Sequence, residues 1–197
     1  MVLQVRIGKG YHRGHPNPNV FTRRGDQGET DTGSRKRVAK SSSLINLEGT
    51  IDETISFIGF ATVKTRWEDI RQDLRTVQED LFTIGEEITS EGAGRHIDRS
   101  RVDWLEERTL EYRKEIGRID LFVVPDGSEE ATSLHICRTV VRRLERLAVS
   151  LRTELGFEGT ILAYLNRLSS LLFMMALASN RRLGITERIW RFRKEGD

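Results

Sequence analysis

The chain has 197 residues, enough to bury a substantial core within one domain. Its 32 Lys and Arg against 30 Asp and Glu give a net charge of +2, which excludes a chain basic throughout, although residues 1–48 hold nine Lys or Arg against four Asp or Glu. The single cysteine, Cys137, excludes an internal disulfide framework and fits a reducing compartment.

Residues 1–20 carry Gly8, Gly10, Gly14, Pro16 and Pro18 among few apolar residues and read as a flexible N-terminal extension. His12 and His15 stand three apart within it, but no carboxylate or thiolate nearby completes a metal site. No long apolar run marks a secretory signal, and the stretch Leu168 to Ala178 is too short to span a bilayer. The reading is of a cytoplasmic protein without a membrane span. Residues 21–48 are rich in Gly, Thr, Ser and Arg and lack helical periodicity.

From Gly49 onward the pattern is helical. A first helix is expected over Thr50 to Lys64, with Asp52 and Glu53 in its first turn, where the helix dipole favours carboxylates. The second carries Ile70, Leu74, Val77, Leu81, Ile84 and Ile88, an alternating 3-4 spacing that marks a bundle seam. Glu91 to Gly94 break it. A third spans about Asp98 to Ile116, ended by Gly117. The apolar run Leu121 to Val124 then leads into the turn Pro125-Asp126-Gly127, and core anchoring is the ordinary reading of Phe122.

Ser128 is placed to cap a fourth helix, with Glu129 and Glu130 in its first turn. At about 3.6 residues per turn, Arg138, Arg142, Glu145 and Arg146 share one face, with His135 beside them. Leu134, Cys137, Val140, Val141, Leu144, Leu147, Ala148 and Leu151 fill the other, which makes Cys137 a core residue. Arginines so close repel one another unless solvent, carboxylates or an anion screens them. A solvated outer face satisfies that pattern, and so does a polyanion site, since the Arg fork suits bidentate phosphate contact. Gly156 and Gly159 precede a last helix, Thr160 to Arg182, apolar nearly all round and therefore central. Asn166 and Arg167 sit on it as polar groups that must find partners. Five helices without a clear strand pair give an all-α bundle.

Two constellations remain open on chemistry alone. In Thr22 to Thr30 the close glycines let backbone N–H groups converge on an anion, and a solvated turn accounts for them equally. Gly28 to Arg35 has Walker-like glycine spacing, but Ser34 stands at the lysine position and no strand precedes it, so it is not a P-loop. Neither His96 nor His135 has a Glu three residues before it, which argues against a di-iron bundle, and no nucleophile elbow appears.

Taken in order, several blocks resemble the PduO-type ATP:cob(I)alamin adenosyltransferases. They are Phe21-Thr22-Arg23-Arg24-Gly25-Asp26-Gln27-Gly28-Glu29-Thr30, Arg37 to Lys40, Gly49 to Glu53, Leu81 to Gly85, Phe122 to Ser128, His135 to Arg146 and Tyr164 to Ser169. The resemblance implies a five-helix bundle over residues 21–197, assembled as a homotrimer with active sites between subunits. It implies transfer of the 5′-deoxyadenosyl group of ATP to the cobalt of reduced corrinoid, cob(I)alamin, with release of triphosphate. Carried over by position, Thr22, Arg23, Arg24, Gly25, Thr30, Asp31 and Lys40 would wrap ATP, completed by Arg142, Arg143, Glu145, Arg146 and Asn166. Mg²⁺ would be held chiefly by the phosphates, with no protein metal site. Asp52 and Arg138 match a salt bridge across the subunit interface near the corrin, and Phe122 matches the aromatic that displaces the lower axial ligand.

Several positions depart from the family pattern: Thr54 and Ile55 stand for Leu and Asn, Asp126 for a Gly and Ser170 for an Asp, and Arg24 and Asp31 are less usual at theirs. The implied partners are ATP, a corrinoid, a corrinoid reductase and an adenosylcobalamin-dependent acceptor enzyme, with neither nucleic acid nor membrane. Two other readings stay open on sequence: a helical module binding nucleic acid through its basic N-terminal segment, and an ATP- or corrinoid-binding sensor without turnover.

Overall fold

The computed structural model describes residues 23–34, 36–90, 93–117, 119 and 122–191. The N-terminal extension and Thr22 lie outside them. The helices are α1 (Ser43–Lys64), α2 (Glu68–Thr89), α3 (Arg99–Ile116), α4 (Glu129–Leu155) and α5 (Gly159–Arg182). The strands are β1 (Glu29–Asp31), β2 (Arg37–Ala39), β3 (Phe122–Val123) and β4 (Ile189–Trp190). α1 packs on α2 and α4, and α5 on α3 and α4, around one apolar core.

α1 begins at Ser43, well ahead of the expected Thr50. Leu44, Leu47, Ile51, Ile55 and Ile58 keep helical spacing through Gly49 and pack in or against the core. Burying that stripe outweighs the ~1 kcal/mol that a mid-helix glycine costs. Asp52 and Glu53 are therefore mid-helix, and the dipole explanation for them falls away.

α2 keeps its seam, whose six apolar residues are all buried. Beside that seam run Asp73, Asp80 and Glu87, buried acids one heptad apart on the side facing α3. Asp80 takes a two-pronged grip from Arg101, Nε to Oδ1 at 2.9 Å and Nη2 to Oδ2 at 2.9 Å, and accepts from the Tyr164 hydroxyl at 2.8 Å. Asp73 accepts from Arg108 Nε at 2.9 Å and from the Tyr112 hydroxyl at 2.8 Å. Burial raises the Asp73 pKa despite these partners, and burial, then the Asp73 charge, pushes the Tyr112 phenol up. Glu87 accepts from the Ile97 backbone N–H at 2.7 Å. The ladder fixes the register of α2 against α3 and α5.

Ser128 caps α4 as expected, its Oγ accepting from the Ala131 N–H at 3.1 Å, and Gly156 ends the helix in the left-handed conformation at φ 70. Cys137 is buried and donates to the Phe57 carbonyl at 3.1 Å, and burial pushes its thiol up to about 12. α5 is long and apolar enough to cross a membrane by length and composition, contrary to the reading from Leu168 to Ala178 alone. Its neighbours in the bundle bury 67% of that stretch.

The strands were not expected. β1 and β2 form an antiparallel hairpin with Thr30 opposite Val38, and β3 pairs with β4 with Phe122 opposite Trp190. Runs of two or three residues carry too little alternation to register as strands. The β3 partner also lies beyond two helices, so no local turn announces it.

Candidate active site

The hairpin gathers much of the Gly-rich segment. Arg23, at φ 59, adopts the left-handed conformation uncommon for a residue with a side chain, and its carbonyl accepts from the Asp26 N–H at 3.3 Å. A side chain at Gly25 would come within 2.9 Å of Lys40 Nζ, so the glycine admits that ammonium over the loop. Arg24 pairs with Asp31 at 3.2 Å, and Arg37 with Glu29 at 2.9 Å. Arg24, Gly25, Asp31 and Lys40 thus share one basic loop, with Thr30 at the centre of β1. Gly33 rests against Thr89, its added Cβ 3.3 Å from Oγ1, which seats the hairpin on the end of α2. Between them a cavity of about 490 Å³ includes Asp31, Gly33, Asp52, Phe82 and Thr89 in its lining. Asp52 is exposed there, and its carboxylate has no ion pair or hydrogen bond among the described residues.

The arginine face of α4 forms a second region. Arg138 is half-buried, Arg142 and Arg146 are exposed, and Leu134, Cys137, Val140, Val141, Leu144 and Ala148 fill the core side. Arg138 and Arg142 line a cleft of about 240 Å³ with Ser169, Ser170 and Phe173 of α5. Burial, then the neighbouring Arg142, lowers the Arg138 pKa. One turn further along, Asn166 Nδ2 donates to Glu145 Oε1 at 2.8 Å, Arg167 donates to Asn166 Oδ1 at 2.6 Å and to Glu106 at 2.7 Å. Asn166 is therefore exposed and partnered rather than central. Arg143 turns toward α1 and pairs with Glu53.

Phe122 occupies a third place. It is 67% exposed, which removes the core-anchor reading. Its strand is tied to the C-terminal segment by the Val124 N–H donating to the Arg188 carbonyl at 2.8 Å. The following turn is clamped by buried Asn180, which accepts from the Ser128 N–H at 2.9 Å and donates to the Asp126 carbonyl at 3.1 Å. Asp126 itself pairs with Arg188 at 3.0 Å.

Within one chain the site residues stay apart: Asp52 opens between α1 and α2, whereas Arg138 faces the α4–α5 cleft. From sequence, Ser169 closes a family block and Ser170 marks a departure from it, whereas Phe173 and Trp190 carry no signal of their own. The first three follow Asn166 at i+3, i+4 and i+7, a stripe on one face of α5 that periodicity can reveal.

A five-helix bundle carrying a guanidinium-lined cleft and a basic Gly-rich hairpin is built to receive a polyanion. The family model described as Cobalamin adenosyltransferase matches residues 20–179, and the chain belongs to that family. It is 37% identical over 177 residues to a cobalamin adenosyltransferase of Cupriavidus metallidurans, covering 89% of this chain and 96% of the relative. It is likewise 37% identical over 172 residues to a corrinoid adenosyltransferase of Bacillus subtilis, covering 84% and 89%. Among solved structures, a variant PduO-type ATP:corrinoid adenosyltransferase from Lactobacillus reuteri, complexed with cobalamin and ATP, superposes with TM-score 0.83 at 25% identity, covering 88% of this chain and 99% of that one.

Proposed function

We propose that this protein is an ATP:corrinoid adenosyltransferase. The observation that carries this reading is the family match across the arginine helix, joined to a cleft in which Arg138 and Arg142 face Ser169 and Ser170 without a carboxylate in its lining. The cobalt(I) lone pair forms the Co–C bond to C5′ of ATP while the C5′–O bond breaks, and its electron pair leaves on the triphosphate. Cobalt(I) is nucleophile enough to need no general base, so the protein positions ATP, stabilises the departing charge and shapes the corrin side.

In this account Arg142 and Arg146 meet the phosphates from α4, with Glu145 and Asn166 fixing one end of that face, while Arg143, expected at the nucleotide, is held by Glu53 of α1 and braces the helix. Arg23, Arg24, Gly25, Thr30, Asp31 and Lys40, with Thr22 before them, close over the nucleotide from the hairpin. Mg²⁺ is held chiefly by the phosphates of the nucleotide. Among the described residues, Asp52 and Arg138 each lack a carboxylate–guanidinium partner in their own chain. Pairing between neighbouring copies would satisfy both, in keeping with the homotrimer and inter-subunit sites that the family resemblance implies. Phe122, held out by β3, bears on the lower face of the corrin. The protein acts in the cytoplasm, fed by a corrinoid reductase and serving an adenosylcobalamin-dependent enzyme.

The test is anaerobic incubation of purified protein with MgATP and chemically reduced cobalamin. A light-sensitive cobalt–carbon product is expected, and its absence under fully reducing conditions refutes the proposal. Light scattering tests the trimer, and a monomer at assay concentration overturns the shared site.

A further inference from the structure

Arg138 is held differently from other half-buried arginines of the bundle. Arg101 grips Asp80 at 2.9 Å, Arg108 grips Asp73 at 2.9 Å, Arg167 grips Glu106 at 2.7 Å, and Arg182 reaches Glu115 at 2.6 Å. Arg138 has no carboxylate among the described residues. Its Nε donates to the Nδ1 of His135 at 3.4 Å, and its guanidinium lies 5.9 Å from the Phe173 ring centre. Both contacts are with neutral groups, so both aim the guanidinium without cancelling its charge.

His135 shows what this arrangement requires. It is only 3% exposed, and its ring sits 6.0 Å from Phe173. Because Nδ1 accepts from Arg138, the single proton of the neutral ring belongs on Nε2. That buried Nε2 has no hydrogen-bond partner among the described residues. A buried unpaired donor is costly and needs a reason in a native fold. A Leu here would fill the same space without an orphaned polar atom, but it would leave Arg138 without an acceptor.

We propose that His135 is a positioning residue that holds Arg138 in the α4–α5 cleft as a full, uncancelled charge, available to an acceptor from outside the chain. This rests on the adenosyltransferase reading only for which substrate is affected; the His135–Arg138 contact stands on geometry. A carboxylate at position 135 would pair with Arg138 and remove it from use. An imidazole orients it and leaves the charge free for Asp52 of a neighbouring copy or for an anionic group of the substrate.

Three substitutions at His135, one double-variant comparison and one spectroscopic measurement decide the matter. His135→Phe is expected to lower kcat/KM for reduced corrinoid by about 10- to 100-fold, the scale of a misplaced active-site group, with KM for ATP held within about twofold. His135→Asn, whose Oδ1 can accept in place of Nδ1, should recover to within about threefold of the wild type. His135→Asp should lose more than His135→Phe. Adding His135→Phe to Arg138→Lys should cost nothing further. A folded His135→Phe enzyme with unchanged corrinoid kinetics overturns the proposal, and so does a fully active His135→Asp enzyme.

Histidine ¹⁵N spectra of the wild-type protein, assigned by correlation to the backbone, should show the Nε2–H tautomer, neutral at pH 6. An Nδ1–H tautomer or an imidazolium at that pH refutes the contact even if the variants fail to fold. Wild-type protein without adenosylation activity would sink the proposed function, while the tautomer would still decide the His135–Arg138 interaction.

Discussion

Replacing Arg142 by Ala separates binding from folding. The Arg142 side chain is exposed, lines the cleft beside Arg138 and has no carboxylate partner in the chain among the described residues. Its removal breaks no ion pair and relieves repulsion on Arg138, so stability should change by no more than ~0.5 kcal/mol. A charged hydrogen bond to phosphate is worth about 1.5–3 kcal/mol, which converts to a loss of roughly 10- to 150-fold in kcat/KM for ATP. Arg101→Ala should do the reverse. It leaves the Asp80 carboxylate, 8% exposed as a residue, with only the Tyr164 hydroxyl as its side-chain partner. A cost of about 3 kcal/mol, or some 6–12 °C in melting temperature, is expected with ATP saturation unchanged. Steady-state adenosylation at saturating reduced corrinoid with ATP varied, alongside thermal unfolding, reads both. An Arg142→Ala protein that melts far lower yet saturates normally with ATP would refute the assignment of that face.

Further expectations follow from particular contacts. Gly127 sits at φ +108 with Asn180 Nδ2 only 2.3 Å from where a Cβ would lie, so Gly127→Ala should displace the turn after β3. Lower melting temperature and impaired corrinoid turnover should appear together; an unaffected protein would show that the turn does not hold Phe122. Burial, then the Arg138 charge, pushes His135 from 6.5 down to about 4. The unfolded chain therefore binds that proton first, and stability should be full above pH ~6.5 and fall by up to roughly 3 kcal/mol as pH drops toward 4. Denaturant titrations across that range should flatten in His135→Gln, and an unchanged slope would contradict a neutral buried imidazole. The Cys137 thiol, buried with its pKa raised to about 12, should resist thiol reagents at pH 8 until the protein unfolds; rapid labelling of native protein would contradict its place in the core.

Legibility in the sequence followed the length and amphipathicity of each element. The α2 seam and the core side of α4 were plain because each repeats over several turns, and the capping Ser128 and terminating Gly156 are local chemistry. The start of α1 was hidden because Gly49 resembles a break, while Leu44 and Leu47 lie beyond it among serines. The acids Asp73, Asp80 and Glu87 stand at heptad spacing in the sequence, yet only their arginine and tyrosine partners on α3 and α5 explain their burial. Phe122 misled because a short apolar run normally faces a core, whereas here its strand pairs with a distant segment and leaves the ring exposed. The roles of Asp52 and Arg138 came from the family resemblance alone. Periodicity marks their faces but says nothing of the opposite clefts into which they open.

Adenosyl transfer by one displacement at C5′ leaves the three phosphates joined. The most direct measurement quantifies the cobalt–carbon product and the phosphate species from one anaerobic reaction with MgATP and cob(I)alamin. One intact triphosphate is expected for each adenosylcobalamin formed. Release of ADP or pyrophosphate in step with product, or ATP consumed without a cobalt–carbon bond, would contradict it.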